Sequence, residues 1–290
     1  MQVTIVIPVY NRAEYLLRTL QSVPADYPLI VVDNGSTDGS AAMAEDFCSR
    51  RPGAVFASEP TPGAPAARNR GLALCQTEWV YFFDSDDEFT SLPSVDDATA
   101  AANDMLCFPV RMIVDGKDRI RDYRPTADAA IHVLNAMLGT QSMLFRTEWL
   151  RAIGGWDNRC PIWNDWELGL RALLRRPRLQ WISTDDPRHR IYVHADSITG
   201  PSYGARWERI AATLGIARDE ICAASDGRAE RAFRLRCHIV SGQLLREGHR
   251  EGAATVRALS DSSLMARMLQ WYTAHGGRGA WRIALACLNL

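Results

Sequence analysis

Residues Val3–Val9 read Val-Thr-Ile-Val-Ile-Pro-Val, an apolar run with almost no polar alternation. A strand written this way expects burial on both faces, and sheets covered on both faces are built from parallel strands. Parallel neighbours need crossover connections, and the next eighty residues supply them. Residues 11–22 carry Tyr15, Leu16, Leu17 and Leu20 at helical spacing, and 29–32 read as a second strand. A helix over 41–50, a strand over 55–57, a helix over 66–74 and a strand over 80–83 follow. This repetition predicts an α/β fold: a mostly parallel, Rossmann-like sheet with helices on both faces. In such sheets ligands bind beyond the carboxyl ends of the strands. The unusual loops, Tyr10-Asn11-Arg12, residues 33–40 and residues 84–87, all fall at such ends.

After residue 100 the pattern changes. Residues 105–114 read as one or two strands, 115–126 as a polar excursion, 128–138 as a helix and 142–145 as a short strand. Helix and turn follow over 146–155, then a helix over 163–175 that begins near Asn164 or Asp165, then two short strands within 179–194. From Gly204 onward the chain reads as a helical C-terminal extension. The expected division is 1–100, 101–200 and 201–290.

Composition narrows the function. A net charge of −1 removes any global electrostatic case for nucleic acid. Lys117 is the only lysine, and arginine suits diphosphate recognition. Seven scattered cysteines without a Cys-x-x-Cys pair argue against a zinc site or a disulfide framework and fit a reducing, cytoplasmic setting. The first residues lack the pattern of a signal peptide, and no run of about 18 apolar residues occurs. The apolar stretch 281–290 is too short to span a bilayer; it reads as core, as a homodimer contact or as a peripheral membrane contact.

The segment Trp79-Val80-Tyr81-Phe82-Phe83-Asp84-Ser85-Asp86-Asp87 carries the chemistry. A buried strand ends in three carboxylates within four residues, which repel and are costly to desolvate. A divalent cation relieves both problems. Asp84 and Asp86, two apart at a strand end, suit a hard ion such as Mg²⁺ or Mn²⁺. Mg²⁺ takes its remaining ligands from water and substrate phosphates. The alternative is a solvated acidic turn.

Several ordered motifs then converge. They are Ile7-Pro8-Val9-Tyr10-Asn11-Arg12, Val32-Asp33-Asn34-Gly35-Ser36, Ala67-Arg68-Asn69-Arg70-Gly71, Phe83-Asp84-Ser85-Asp86-Asp87, and Gly154-Gly155-Trp156-Asp157 followed by Asn164-Asp165-Trp166-Glu167. In order and spacing, residues 1–200 resemble the inverting family 2 glycosyltransferases of the GT-A fold. The resemblance implies a nucleotide-sugar-binding half over 1–100 and an acceptor-binding half over 101–200, and it does not reach the last ninety residues.

The resemblance also implies roles. Asp33 accepts from the uracil ring of a UDP-sugar, against the alternative of an Asx turn serving its own loop. Pro8, Tyr10 and Asn11 line the nucleoside pocket, with plain packing the alternative for Tyr10, and Arg12 either joins them or pairs with a carboxylate. Arg68, beside Asn69, reaches the base or phosphates, or forms a salt bridge. Asp84, Ser85 and Asp86 hold the donor diphosphate; Asp86 and Asp84 ligate Mn²⁺ or Mg²⁺, with Asp87 assisting and His194 as a further ligand or a plain loop histidine. Arg188 and Arg190 hold phosphate or face solvent.

Asp165 is the implied general base, with Glu167 as fallback and a first-turn helix carboxylate as the alternative. Trp163, Trp166 and Glu167 are implied acceptor contacts, although Trp149, Trp156, Trp163 and Trp166 also suit a core. One departure stands out: the family more often has Glu-Asp where this chain has Asn164-Asp165.

The reading is a metal-dependent transferase that moves one sugar from a nucleotide-sugar donor to a saccharide or lipid-linked saccharide acceptor, in surface polysaccharide or glycoconjugate assembly. The alternative is a non-catalytic nucleotide-sugar or glycan-binding protein on the same fold. A nucleotidyltransferase lacks its Gly-rich phosphate loop after the first strand, and a dinucleotide oxidoreductase lacks its G-x-G-x-x-G.

Overall fold

A computed structural model describes residues 1–114, 117–120, 126–136, 138–182, 188–192 and 202–288. In chain order the first elements are β1 (Val3–Val9), α1 (Ala13–Ser22), β2 (Leu29–Asp33), α2 (Ser40–Arg50), β3 (Ala54–Ser58), α3 (Ala64–Leu74) and β4 (Trp79–Phe82). There follow α4 (Asp97–Ala102), β5 (Met105–Cys107), β6 (Val110–Val114), β7 (Lys117–Ile120), α5 (Ala129–Asn135), β8 (Met143–Arg146) and α6 (Thr147–Ala152). The chain continues with α7 (Asn164–Leu174), β9 (Leu179–Trp181), β10 (Arg188–Tyr192) and α8 (Trp207–Ala224). It ends with α9 (Gly227–Arg246), α10 (Arg250–Arg257), α11 (Leu264–Ala274) and α12 (Ala280–Cys287).

The chain forms two compact units. The first comprises residues 1–125, 138–158 and 177–195; the second comprises 126–137, 159–176 and 196–290. The stretch 101–200 is thus shared between them, and α5 and α7 join the C-terminal helices.

The first unit holds a seven-stranded sheet in the order β3-β2-β1-β4-β8-β5-β9. Strands β3, β2, β1 and β4 are mutually parallel, and β8 runs antiparallel to both β4 and β5. Every residue of β1 is buried, as its unalternating composition demands. Strand β1 pairs with β2 on one side and β4 on the other, so the strand order reverses at β1. That reversal is the point beyond which open α/β sheets take their ligands. Loops 10–12, 33–40 and 84–87 leave the carboxyl ends of adjacent strands there.

One expectation fails. The polar excursion over 115–126 contains a strand, β7, which pairs antiparallel with β6. With β10 parallel to β6, they make a second, three-stranded sheet. β7 has the sequence Lys-Asp-Arg-Ile, so backbone pairing rather than side-chain pattern makes it a strand.

The second unit is built round α9, twenty residues long and buried around much of its circumference. Asp226 caps it, accepting from the N–H groups of Arg228 (3.0 Å) and Ala229 (2.9 Å). Among the described residues no helix is long and apolar enough to cross a membrane.

Helix α3 lies against β1 at Gly71, where an added Cβ would sit 2.2 Å from Val6 Cγ1. Gly71→Ala is therefore expected to lower stability by about 1–3 kcal/mol and to displace the turn that carries Arg68. Urea denaturation of the full chain checks the first effect, and a wild-type midpoint would show that the helix and strand can part at no cost.

Candidate active site

The loops after β1 and β2 are laced together by short polar side chains. The Asn11 N–H donates to Ser36 Oγ (3.0 Å), and Asn11 Oδ1 accepts from the Thr37 N–H (2.8 Å). The Arg12 N–H donates to Ser40 Oγ (2.8 Å) and the Ala13 N–H to Asp38 Oδ2 (3.0 Å). The Ser40 hydroxyl and the Ala13 N–H hold the Asp38 carboxyl below its ordinary pKa. Asn11 has a φ of 49°, a left-handed conformation that asparagine tolerates. Next to it the Tyr10 ring is 58 % exposed, so it is not packed as core.

Asp33 ends β2 in a buried position. Its Oδ2 accepts from the N–H groups of Gly35 (3.0 Å) and Ser36 (3.2 Å), the Asx turn that its sequence allows. Its Oδ1 is buried and has no hydrogen-bond partner among the described residues. Buried acceptors are seldom left so, because the lost hydration is not regained. One oxygen therefore holds the loop, and the other makes no hydrogen bond among the described residues.

The carboxylates after β4 are held by side chains from other loops. Asp84 Oδ1 accepts from Arg68 Nη2 (2.7 Å), and Asp84 Oδ2 from Gln141 Nε2 (2.8 Å). Gln141 Nε2 also donates to Asp87 Oδ2 (2.6 Å), while Asp87 Oδ1 accepts from the Tyr192 N–H (2.8 Å). Asp87 is buried; burial first, then the charges of Asp84 and Asp86, push its carboxyl well above the ordinary pKa. Asp86 Oδ2 accepts from Arg12 Nε (3.2 Å), and the Asp86 carbonyl accepts from Arg18 Nη2 (2.6 Å). Ser85 is buried, and its carbonyl accepts from the Thr19 hydroxyl (3.0 Å). Arg12 and Arg68 are thus both carboxylate partners, as one of the two sequence readings of each had it.

Arg68 is itself built in. Its guanidinium lies 4.3 Å from the centre of the Trp156 ring, and Asn69 grips the Trp156 backbone at both N–H (2.9 Å) and carbonyl (2.8 Å). Trp156 is a buried platform.

In the second unit Asp165 lies in the first turn of α7, and its Oδ1 accepts from the Trp166 N–H (2.8 Å). Trp163, just before the helix, has a φ of 53°, rare for so large a side chain. The residue that holds this turn is Arg236 of α9. Its guanidinium lies 4.2 Å from the Trp166 ring centre, 4.9 Å from Trp163 and 5.4 Å from Trp281, and Arg236 Nη1 donates to the Val133 carbonyl (2.6 Å) near the end of α5. Burial lowers its pKa to about 10, so it remains charged at neutral pH.

The matches with known proteins agree with this arrangement. The sequence profile of Glycosyl transferase family 2 matches residues 4–153, more than half of the chain. The chain belongs to glycosyl transferase family 2. Glycosyltransferase GlyA of Streptococcus pneumoniae serotype 4 is 33% identical over 90 residues, 30% of this chain and 13% of GlyA. An uncharacterised glycosyltransferase of Mycobacterium tuberculosis H37Rv is 39% identical over 84 residues, 29% of this chain and 36% of that protein. The shared stretch is thus well under two thirds of either relative. The fold also matches S. aureus TarS 1-349, solved in complex with UDP, at a TM-score of 0.62 and 18% identity, covering 100% of this chain and 91% of that one. A mannosyltransferase of Pyrobaculum calidifontis, solved with GDP-Man and Mn²⁺, matches at 0.51 and 18% identity, covering 99% and 79%. The sheet and its helices are therefore of the GT-A type expected from the sequence.

Family 2 enzymes often use a divalent metal. Among the described residues no group of three or more His, Cys, Asp or Glu gathers as a metal cage. Asp84 and Asp86 present two partly exposed carboxylates, with side chains 32% and 22% exposed. Two hard oxygen donors are what Mg²⁺ takes from a protein when phosphates and water complete its shell, so this donor set fits. His194 lies outside the described residues, and of Arg188 only the backbone is described. Arg190 faces Glu88 at 3.6 Å.

Two of the implied acceptor contacts are buried. Trp166 is buried, donating through Nε1 to the His132 carbonyl (3.3 Å) and stacked on Arg236; it is core. Glu167 is buried, and Arg171 binds both of its oxygens (2.7 and 3.1 Å), so it is neither an open acceptor contact nor a ready base. Trp163 is only partly exposed. The sequence reading missed Gln141 and Arg236, which lie in no motif and are distinguished only by what the fold brings to them.

Arg236→Met keeps bulk but loses both the charge over the tryptophans and the bond to Val133. It is expected to cost about 2–4 kcal/mol in unfolding free energy. Arg236→Lys should recover less than half of that, because an ammonium lacks the flat stacking face. Tryptophan-detected urea unfolding measures both, and a silent Arg236→Met would mean the turn holds itself.

Proposed function

We propose that this family 2 member is an inverting, metal-dependent glycosyltransferase that moves one sugar from a UDP-sugar to a hydroxyl of a saccharide or lipid-linked saccharide, in surface polysaccharide or glycoconjugate assembly. The single observation that carries the reading is the convergence, at the strand-order reversal, of Asp33 Oδ1 without a partner and the Asp84–Asp86 pair within reach of Arg12 and Arg68. A buried carboxylate oxygen is the complement of a uracil imide N–H. The exposed Tyr10 ring offers a face for the base or ribose. TarS has been solved with UDP and with UDP-GlcNAc, which favours UDP over the GDP of the more distant mannosyltransferase complex.

In this reading Asp84 and Asp86 hold Mn²⁺ or Mg²⁺, which when bound supplies Lewis-acid stabilisation of the departing diphosphate. Arg68 and Arg12 exchange a carboxylate for diphosphate oxygens as the donor enters. The acceptor hydroxyl oxygen bonds to the anomeric carbon from the face opposite the diphosphate. The bond from that carbon to the diphosphate oxygen breaks, its electron pair leaves with UDP, and the hydroxyl proton passes to Asp165. One displacement inverts the configuration. Asp165 takes this role from its place in the motif, while Glu167 is committed to Arg171.

A panel of nucleotide sugars, assayed for UDP release, tests the reading. UDP release that EDTA suppresses and Mn²⁺ restores is expected. Asp165→Asn should lower kcat by roughly 10²–10⁴-fold with the donor KM unchanged. Asp33→Ala should raise the donor KM about tenfold or more, the worth of one charged hydrogen bond. Tight UDP binding with no turnover on any donor would favour the non-catalytic binding protein, to which Asn164 in place of an acidic residue already leans. Full activity in EDTA would remove the metal from the account.

A further inference from the structure

The second unit carries an outward face that its own packing leaves unused. Helix α11 docks by one side on α9. Its residues Ala266, Leu269, Gln270 and Thr273 are buried, and Gln270 Nε2 donates to Ser241 Oγ (2.9 Å). A Cβ on Gly242 would lie 2.6 Å from the Gln270 carbonyl oxygen, so the backbones of α9 and α11 approach closely and α11 has little freedom to roll. The helical period places Leu264, Met268, Trp271 and His275 along the opposite face, with Met265 and Arg267 at its edges. Leu264 is 69 % exposed, Met268 56 % and Trp271 65 %. Single exposed apolar residues are ordinary; a stripe on three successive turns is not.

Charge selects the partner. From Ser262 to Leu290 there are three arginines, Arg267, Arg278 and Arg282, and no aspartate or glutamate, in a chain whose net charge is −1. All three arginines are exposed. A second copy of the chain, meeting this face about a two-fold axis, would bring up a stretch with the same excess of arginine and no aspartate or glutamate of its own to offset it. An anionic lipid surface has the complementary charge. Apolar side chains enter the acyl boundary, a tryptophan sits at headgroup level, and arginines lie against lipid phosphates. Ala280 and Ala284 of α12 and Leu288 just after it are buried, while Ile283 of the same helix is 41 % exposed.

We propose that the exposed face of α11, with Arg267 at its edge and the exposed Arg278 and Arg282 following in the chain, seats this protein on an anionic bilayer surface. The face lies in the interfacial layer without crossing it. The inference does not depend on the donor chemistry, since no residue of this face belongs to the proposed site.

Flotation of the full chain with vesicles tests it, comparing pure phosphatidylcholine with a 70:30 phosphatidylcholine–phosphatidylglycerol mixture as a probe of roughly physiological anionic content. Binding to the anionic vesicles is expected, weakened by salt and weak on the neutral ones. The double variant Met268→Gln, Trp271→Gln should bind at least tenfold less, and Arg267→Gln roughly fivefold less. Both variants alter exposed side chains on a helix whose inner face is intact. An unchanged urea midpoint and unchanged UDP affinity confirm that they are folded. No flotation of the wild type, or flotation equal in the double variant, overturns the proposal. So does a concentration-dependent dimer in sedimentation velocity that the double variant converts to monomer.

Discussion

Three carboxylates within four residues at the end of a buried strand form an arrangement that the rest of the first unit has to answer. Coulomb repulsion between such groups grows as water is excluded. The answer comes from three places in the chain. Arg12 arrives from the loop after β1, Arg68 from α3 and Gln141 from the segment before β8. Because each partner belongs to a different element, pairing the charges also brings the loops into register around one spot. The same cations that quiet the carboxylates suit a diphosphate. Asp87, the most deeply buried of the three, takes no arginine. It is held by an amide from Gln141 and a backbone N–H from Tyr192, and burial, then the charges of Asp84 and Asp86, raise its pKa.

The near-exclusive use of arginine has a structural side as well. Helices end in carbonyls with no partner inside the helix, and a guanidinium can serve two at once. Arg151 donates to the carbonyls of Leu72 (2.8 Å) and Cys75 (2.6 Å) at the end of α3. Arg146 donates to the Ala100 carbonyl (2.6 Å) at the end of α4 and to that of Asn103 (3.1 Å). Arg51 reaches the carbonyls of Val23 (2.8 Å), Pro24 (2.6 Å) and Tyr27 (3.1 Å) after α1. Arg236 does the same for α5. A lysine has the charge for these positions but lacks the planar fork that spans neighbouring carbonyls.

What could be read from the chain, and what could not, divides along a physical line. Features dictated by local pattern were legible. The unalternating β1 announced a covered parallel sheet, and Asp33 and Asp84–Asp86 stood at strand ends, with Arg68 inside α3, where a motif order could be matched. Features dictated by distant pairing were not. β7 is a strand through its hydrogen bonds to β6, although its sequence is nearly all charged. Glu167 looked available beside Asp165, but a helix places residues four apart on one face, and Arg171 occupies it on both oxygens. Trp166 looked like a sugar platform because nothing in the sequence revealed that α9 would lay a guanidinium on it. Gln141 carried no signal, since one glutamine before a short strand has no pattern to break.

Two backbone outliers extend the point. Asn11 and Trp163 both hold positive φ, and each sits in a turn that presents proposed site residues, Arg12 in one case and Asp165 in the other. Such conformations persist only where the surroundings over-determine them. The surroundings differ in kind. Asn11 is held by its own side chain across to Thr37 and by its N–H to Ser36, a local solution that asparagine is suited to make. Tryptophan has no such device, and the turn at Trp163 packs against Arg236, on a helix seventy residues further along the chain, and against Tyr203. That difference gives the C-terminal helices a purpose within the second unit that lies outside the family's matched region. They supply the cation that lies over Trp163 and Trp166, on either side of Asp165, from a part of the chain where no motif could be recognised.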